Sequence, residues 1–260
     1  ISLNILPKFN KLKGEVIVCT LDDIPENLRP GGDNEYGFDD ATFYSEVVSY
    51  IHNNTSCSVT KEQLETINDF NPGTVEIESA NGVQYLTNLV SLELPNNNLT
   101  TIDLSHNTEL NVINLGYNNI NSINISSLSK LYGLYLNDNN LSSIDLSNNL
   151  KLNTLVINNN NMKKIDLSHN TKLNQFLINN NNLDGINLEN NNLAALDISN
   201  NNLSNIDLSS QTDLEILMLQ NNPMTDTKYM LKGEQLEYIV PITINNNINY
   251  SVDDEEIIKY

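Results

Sequence analysis

The residues best suited to chemistry are three histidines and two cysteines, and their spacing gives little support for catalysis. His106 and His169 occupy one phase of a sequence repeat, three repeats apart, so roughly 15 Å should separate them, too far to share a metal ion. Cys19 and Cys57 either form a disulfide in an oxidising compartment or remain buried thiols. A thiol nucleophile needs a positioned base, and His52 is near Cys57 only in sequence. With no GxSxG, HExxH or phosphate-loop motif, we expect no enzyme, resident metal or cofactor.

A row of aspartate and asparagine residues recurs in another phase of the repeat. Hard cations such as calcium take oxygen ligands, so a calcium site is conceivable there. Successive repeats would, however, place like charges close together without a dedicated cage. We therefore interpret the row as solvated residues that stabilise turns. The row consists of Asp103, Asn124, Asp145, Asp166, Asn187 and Asp207.

The composition excludes several classes of function. The 260 residues contain 33 Asp+Glu and 13 Lys+Arg, a net charge of −20, which would repel phosphate and argues against nucleic-acid binding. No apolar run approaches the ~18 residues of a membrane span, so we expect no membrane insertion of this segment. Two cysteines cannot build a disulfide-rich scaffold. The chain instead has 50 asparagines and regularly placed leucine and isoleucine.

That regularity is a long sequence repeat. Seven segments begin with the pattern LxxLxLxxNxL at steps of 21 residues, with one step of 20, and the first six continue with a second apolar pair such as Ile102 and Leu104. Because side chains alternate across a strand, the two leucines of LxL point the same way. One coil cannot bury its own leucines, so coils must stack and the ends must be capped. The pattern predicts an α/β repeat solenoid with a parallel sheet on one face. The segments start at Leu89, Leu110, Leu131, Leu152, Leu173, Leu193 and Leu214.

One asparagine of each repeat lies where the chain leaves the strand. Buried backbone groups there need partners, and an amide side chain both donates and accepts hydrogen bonds. We predict a structural ladder at this phase, and solvated turns for the other asparagines. The ladder residues are Asn97, Asn118, Asn139, Asn160, Asn181, Asn201 and Asn222.

The repeat divides the chain into three regions. Residues 1–73 form an N-terminal region with a helical cap, residues 74–222 hold one degenerate and seven regular repeats, and residues 223–260 form a small β-containing C-terminal cap. In the first region we predict a short strand at 15–20, a helix capped by Asp39 or Asp40, and a second helix opened by a capping box of Thr60 and Gln63. In the last region we predict strands within 231–244.

Strand residues that point away from the core are the candidates for binding. Among them, Tyr135, Val156 and Leu177 form a contiguous apolar stripe, and Ile216 with Met218 form a second patch. Clustered apolar residues with a tyrosine favour a partner-binding surface. The alternative is that valine and tyrosine simply suit any strand.

The repeat resembles that of bacterial surface leucine-rich repeat proteins of the internalin type, with the IDLS half-repeat and the preceding GVQYLTNL segment (residues 82–89). Some relatives carry a cysteine where this chain has Leu94 and its equivalents, so a cysteine ladder is absent here. The resemblance implies a right-handed superhelix, a secreted or cell-surface location and binding to a protein. The chain starts at Ile1 without a signal peptide, which favours a mature or trimmed form and leaves room for an envelope anchor outside this segment.

The sequence therefore predicts a non-enzymatic protein-binding module of a secreted or cell-surface bacterial protein, acting in adhesion or partner recognition. Two alternatives stay open. The chain is a structural or spacer module of the envelope, or it is a glycan-binding module. The identity of the partner is not predicted.

Overall fold

A computed structural model describes residues 17–31, 36–51, 54–73 and 75–224, together with the backbone of one further strand. Within these residues a single sheet contains nine strands, paired in chain order and parallel throughout. The predicted repeat solenoid with a parallel sheet on one face is confirmed. The strands are β1 Asp69–Phe70, β2 Ser91–Glu93, β3 Val112–Asn114, β4 Gly133–Tyr135, β5 Thr154–Val156, β6 Gln175–Leu177, β7 Ala195–Asp197, β8 Ile216–Met218 and β9 Tyr238–Ile239.

The leucines of each repeat fill the interior of the coil. In the first regular repeat, Leu92 at the centre of β2 and Leu94 just after it are fully buried, as are Leu99 and Leu104 on the return path. The equivalent residues of the other coils join them in one continuous hydrophobic cluster that runs into the N-terminal cap. Burial of this continuous set is the main stabilising contribution, since each coil alone leaves its apolar edges open.

A left-handed residue ends the strand segment of every regular repeat. These residues have φ between 53° and 59°, a conformation that asparagine tolerates better than most residues. This requirement accounts for part of the asparagine content, and Tyr117 and Asp138 are the two exceptions. The row is Asn96, Tyr117, Asp138, Asn159, Asn180, Asn200 and Asn221.

The N-terminal cap contains two short helices, α1 Ala41–Ser49 and α2 Lys61–Leu64. The Asp40 carboxylate accepts a hydrogen bond from the Phe43 N–H at 2.9 Å, and the capping box of Thr60 and Gln63 is present, so both predicted helix starts are confirmed. Two 3-10 turns, Leu21–Asp23 and Glu26–Leu28, precede α1.

The predicted strand at 15–20 is wrong where the structure describes it. Residues 17–20 are irregular, because the N–H groups of Ile17 and Cys19 donate to the hydroxyls of Ser49 and Ser45 on α1 rather than to a neighbouring strand. A disulfide joins Cys19 to Cys57 across the cap, with an S–S distance of 2.05 Å. This pairing decides between the two alternatives that the sequence left open.

The sheet extends beyond the regular repeats at both ends. At its start, β1 lies before residue 74, so the first coil takes its strand from the region predicted to be the N-terminal cap. At its far end, β9 falls within the segment where C-terminal strands were predicted. The rest of the predicted C-terminal cap after residue 224 lies outside the described residues.

Candidate functional site

The asparagines at the strand exit make hydrogen bonds within and between coils. Asn160 is typical, since its Oδ1 accepts from the N–H of Leu141 at 2.8 Å and its Nδ2 donates to the carbonyls of Leu136 at 2.9 Å and Ile157 at 3.1 Å. Each such side chain satisfies polar backbone groups that are sealed from water. The same acceptor bond to the preceding coil occurs at Asn97, Asn118, Asn139, Asn181, Asn201 and Asn222.

A second buried amide row lies on the return path of the coils, and the sequence interpretation missed it. Asn170 is fully buried, and its Nδ2 donates to the carbonyls of Leu146 at 3.1 Å and Asn149 at 3.0 Å. Leu128 occupies the same phase in the one coil that lacks an amide. The regular spacing of this row could have revealed it in the sequence. The SHNT and SNNL segments, which contain most of the asparagines in this row, instead have the composition of exposed turns. The row is Asn107, Asn149, Asn170, Asn191 and Gln211.

The outer sheet face, meaning the first and last residue of each of β2–β8, brings the predicted apolar residues together. Tyr135 pairs with Val156, and Val156 pairs with Leu177, so these three lie on consecutive strands. Asp197 follows on β7 and separates this stripe from Met218 on β8. The other residue of the second patch, Ile216, lies at the opposite end of β8. Val156, Leu177, Ile216 and Met218 are all partly exposed.

Tyr135 is less accessible than its place on the outer sheet face predicts, with 9% of its surface exposed. Its ring lies over Gly133, where an added Cβ would be 3.4 Å from the tyrosine Cε2 and 3.7 Å from Val112 Cγ2. Burial, with the negative charge of Glu93 as a smaller contribution, raises the pKa of Tyr135 to about 12. The accessible part of the stripe is therefore carried mainly by Val156 and Leu177.

Asp197 interrupts the apolar surface with a carboxylate that already has partners. Its Oδ1 accepts from the Ser199 N–H at 3.1 Å and from the Ser199 hydroxyl at 2.7 Å. Burial raises the pKa of Asp197, and these two hydrogen bonds oppose the shift. The residue thus stabilises the strand exit as well as contributing charge to the face.

A cavity of about 200 Å³ opens at the cap end of the outer sheet face. Asp69 of β1 and Glu93 of β2 contribute two carboxylates to its wall, and burial followed by the charge of Asp69 raises the pKa of Glu93. Asp69 had no signal in the sequence, because no repeat pattern marks β1. The remaining lining residues are Tyr50, Phe70, Asn71, Pro72, Gly73 and Ser91.

The two histidines that the structure describes lie apart in exposed turns. His106 is exposed and its ring lies 5.0 Å from that of Tyr36, while the exposed His169 is bonded to the Ser168 hydroxyl at 3.1 Å. His52 lies outside the described residues. In the part of the chain that the structure describes, no group of three or more His, Cys, Asp or Glu residues is placed to hold a metal ion.

The aspartates of the return path take part in turns. Asp166 is typical, since its Oδ1 accepts from the Ser168 N–H at 2.9 Å, and this bond is the main cause of its lowered pKa. The same bond to the residue two positions later is made by Asp103, Asn124, Asp145, Asn187 and Asp207.

None of the helices in the described ranges is both long and apolar enough to span a membrane.

Stacked 20- to 21-residue coils, a parallel sheet and a buried asparagine ladder define the chain as a leucine-rich repeat solenoid. Over 94 residues the sequence is 32% identical to internalin J of Listeria monocytogenes serotype 4b (strain F2365), a match that covers 35% of this chain and 10% of that protein. The chain thus resembles the internalins in sequence, and it spans about a tenth of the length of the curated relative it matches. No protein-family model matches the sequence.

Solved structures show the same architecture. The crystal structure of internalin C2 from Listeria monocytogenes is similar, with a TM-score of 0.67 and 25% identity over 73% of this chain and 87% of that chain. A leucine-rich repeat protein of Leptospira interrogans has a TM-score of 0.53 and 21% identity over 61% of this chain and 43% of that chain, and it supports the fold alone.

Proposed function

We propose that the chain is a non-enzymatic protein-binding module of a secreted or cell-surface bacterial protein, which recognises its partner through the outer sheet face. The similarity to internalins supports a protein-interaction module. The carrying observation is the register that aligns Tyr135, Val156 and Leu177 on neighbouring strands. Adhesion is one use of such a face.

The arrangement of the face supports binding rather than mere strand propensity. Val156 and Leu177 stay partly exposed although the core beneath them is complete, as the fully buried Leu155 and Phe176 on the same strands demonstrate. Neighbouring apolar side chains that remain accessible to solvent gain free energy when a partner covers them. The proposed contact area therefore centres on β5 and β6.

The proposal is tested with the double variant Val156→Ser and Leu177→Ser. A partner is first isolated from surface proteins, identified and purified, and its Kd for each variant is measured by calorimetry. We expect binding at least about tenfold weaker, because two apolar contacts of roughly 1 kcal/mol or more are lost.

The matched control is Leu150→Ser with Leu21→Ser, which removes two exposed aliphatic side chains outside the outer sheet face. Both double variants are compared by circular dichroism so that equal folding is established. If the control weakens binding as much as the face variant, or if the face variant binds like the unmodified chain, the outer sheet face is not the binding surface.

A further inference from the structure

Glu93 carries a buried negative charge that no described cation balances. Only 7% of its surface is exposed. The charged group that affects its pKa is Asp69, which carries a charge of the same sign. The Asn71 side chain supplies one hydrogen bond to the carboxylate. Among the described residues, no lysine or arginine forms an ion pair with Glu93. A buried carboxylate without a counter-charge is unfavourable and gains free energy when a cation arrives.

The space beside this carboxylate suits a basic side chain. The cavity of about 200 Å³ is lined by the two carboxylates and by Asn71, Ser91 and Tyr50. The Tyr50 hydroxyl is occupied, because it donates to the Asn71 carbonyl. The carboxylate oxygens of Asp69 and Glu93 match the N–H groups of an ammonium or guanidinium head, and charge-assisted hydrogen bonds of this kind are the stronger ones.

The cavity lies at the edge of the same sheet face that carries the proposed binding surface, with β3 between Glu93 on β2 and Tyr135 on β4. The negative charge of Glu93 raises the pKa of Tyr135, so the two side chains interact although β3 separates their strands. A protein surface that covers Tyr135, Val156 and Leu177 reaches the cavity by extending across β3, roughly 10 Å by the strand spacing. One occupant accounts for both features: a basic side chain next to apolar residues of the same partner.

We propose that the cavity between β1 and β2 receives a lysine or arginine side chain of the protein partner, on the same sheet face as the apolar contact on β4–β6. This inference rests on the proposed function for the identity of its occupant. The cavity itself does not need the partner to be tested, so the two ideas can fail separately.

A divalent cation is the competing occupant. The described residues offer only Asp69 and Glu93 as carboxylates in the cavity, and no third acidic, histidine or cysteine ligand joins them. Calcium takes six to eight oxygen ligands, and two carboxylates supply too few of them. The basic side chain is therefore favoured, and calcium becomes an outcome of the experiment.

The test uses the full chain labelled with ¹⁵N and small probes in place of the partner. The probes are acetyl-arginine-methylamide, acetyl-lysine-methylamide and the neutral analogue acetyl-citrulline-methylamide, each titrated to millimolar concentration, with calcium chloride as a separate titration. We expect the cationic probes to shift the amide signals of Asn71, Ser91 and Glu93, with the citrulline analogue shifting them at least about tenfold less at equal concentration.

The variant Glu93→Gln keeps the shape of the side chain and removes its charge, so the shifts should disappear. Asp197→Asn is the matched control, because it removes another half-buried carboxylate of the same face that already has Ser199 as partner. It should leave the shifts unchanged. Equal shifts with citrulline, shifts that persist in Glu93→Gln, no shifts with any probe, or saturable calcium binding that excludes the arginine probe would each overturn the inference.

Failure of the proposed function gives a different result. If Val156→Ser with Leu177→Ser binds the purified partner normally while the arginine probe still occupies the cavity, the outer sheet face is not the contact but the cation cavity stands. If the partner binds through the face and Glu93→Gln leaves its Kd unchanged, the cavity is not used and only the further inference fails.

Discussion

Replacing Asn160 with alanine removes one complete rung of the asparagine ladder. The variant leaves the Leu141 N–H without its partner at 2.8 Å and takes the side-chain donor away from the carbonyls of Leu136 and Ile157. A stranded buried donor costs about 1–3 kcal/mol and each of the two lost hydrogen bonds to carbonyls about 1 kcal/mol, so we expect a loss of roughly 3–5 kcal/mol. Urea unfolding followed by circular dichroism measures the change, with a midpoint shift of about 1.5–2.5 M for a slope of about 2 kcal/mol/M.

The adjacent residue supplies the control for this prediction. Asn161 is exposed and only its backbone N–H is engaged, donating to the Leu141 carbonyl at 2.8 Å, so Asn161→Ala should change the free energy of unfolding by less than about 0.5 kcal/mol. Both variants remove the same amide group from the same turn. Equal losses of stability in the two variants would refute the ladder argument, because burial and hydrogen bonding would then not distinguish the positions.

Two further predictions concern other polar groups. Asn170→Leu should destabilise the chain less than Asn160→Ala, by under about 2 kcal/mol in the same urea assay. The reason is that the buried Oδ1 of Asn170 has no hydrogen-bond partner, and Leu128 already occupies the equivalent position in another coil. A larger loss would contradict this. The pKa of Glu93 in the folded chain is raised above its ordinary value of 4.5. The contribution of this carboxyl to the free energy of unfolding is therefore fully present below pH 4.5, where it is protonated, and is lost as the pH rises through the folded-state pKa. Glu93→Gln should therefore stabilise the chain at pH 7 and not at pH 3.5, and a gain of equal size at both pH values would show that charge is not the cause.

Sequence reasoning succeeded where one physical requirement repeats. Leu92 and Leu94 predict a strand, and their equivalents every 20 or 21 residues predict stacking, because no single coil can bury them. The short strand predicted at 15–20 failed because the serines of α1 supply the hydrogen-bond partners that a strand neighbour would have given. Local propensity carried no information about those distant serines.

The candidate site divides in the same way. The alignment of Tyr135, Val156 and Leu177 follows from the repeat register, since equal spacing places equal phases on neighbouring strands. The covering of Gly133 by the Tyr135 ring does not follow, because it depends on a side-chain conformation chosen by packing.

The sequence by itself determined the solenoid, the parallel sheet and the residues of the outer face, because regular aliphatic spacing leaves stacking as the way to remove these side chains from water. Only the tertiary structure decided that Cys19 bonds Cys57, that β1 starts the sheet and that Asp69 stands beside Glu93. These features lie where the repeat stops, so each depends on contacts between segments far apart in the chain that share no pattern.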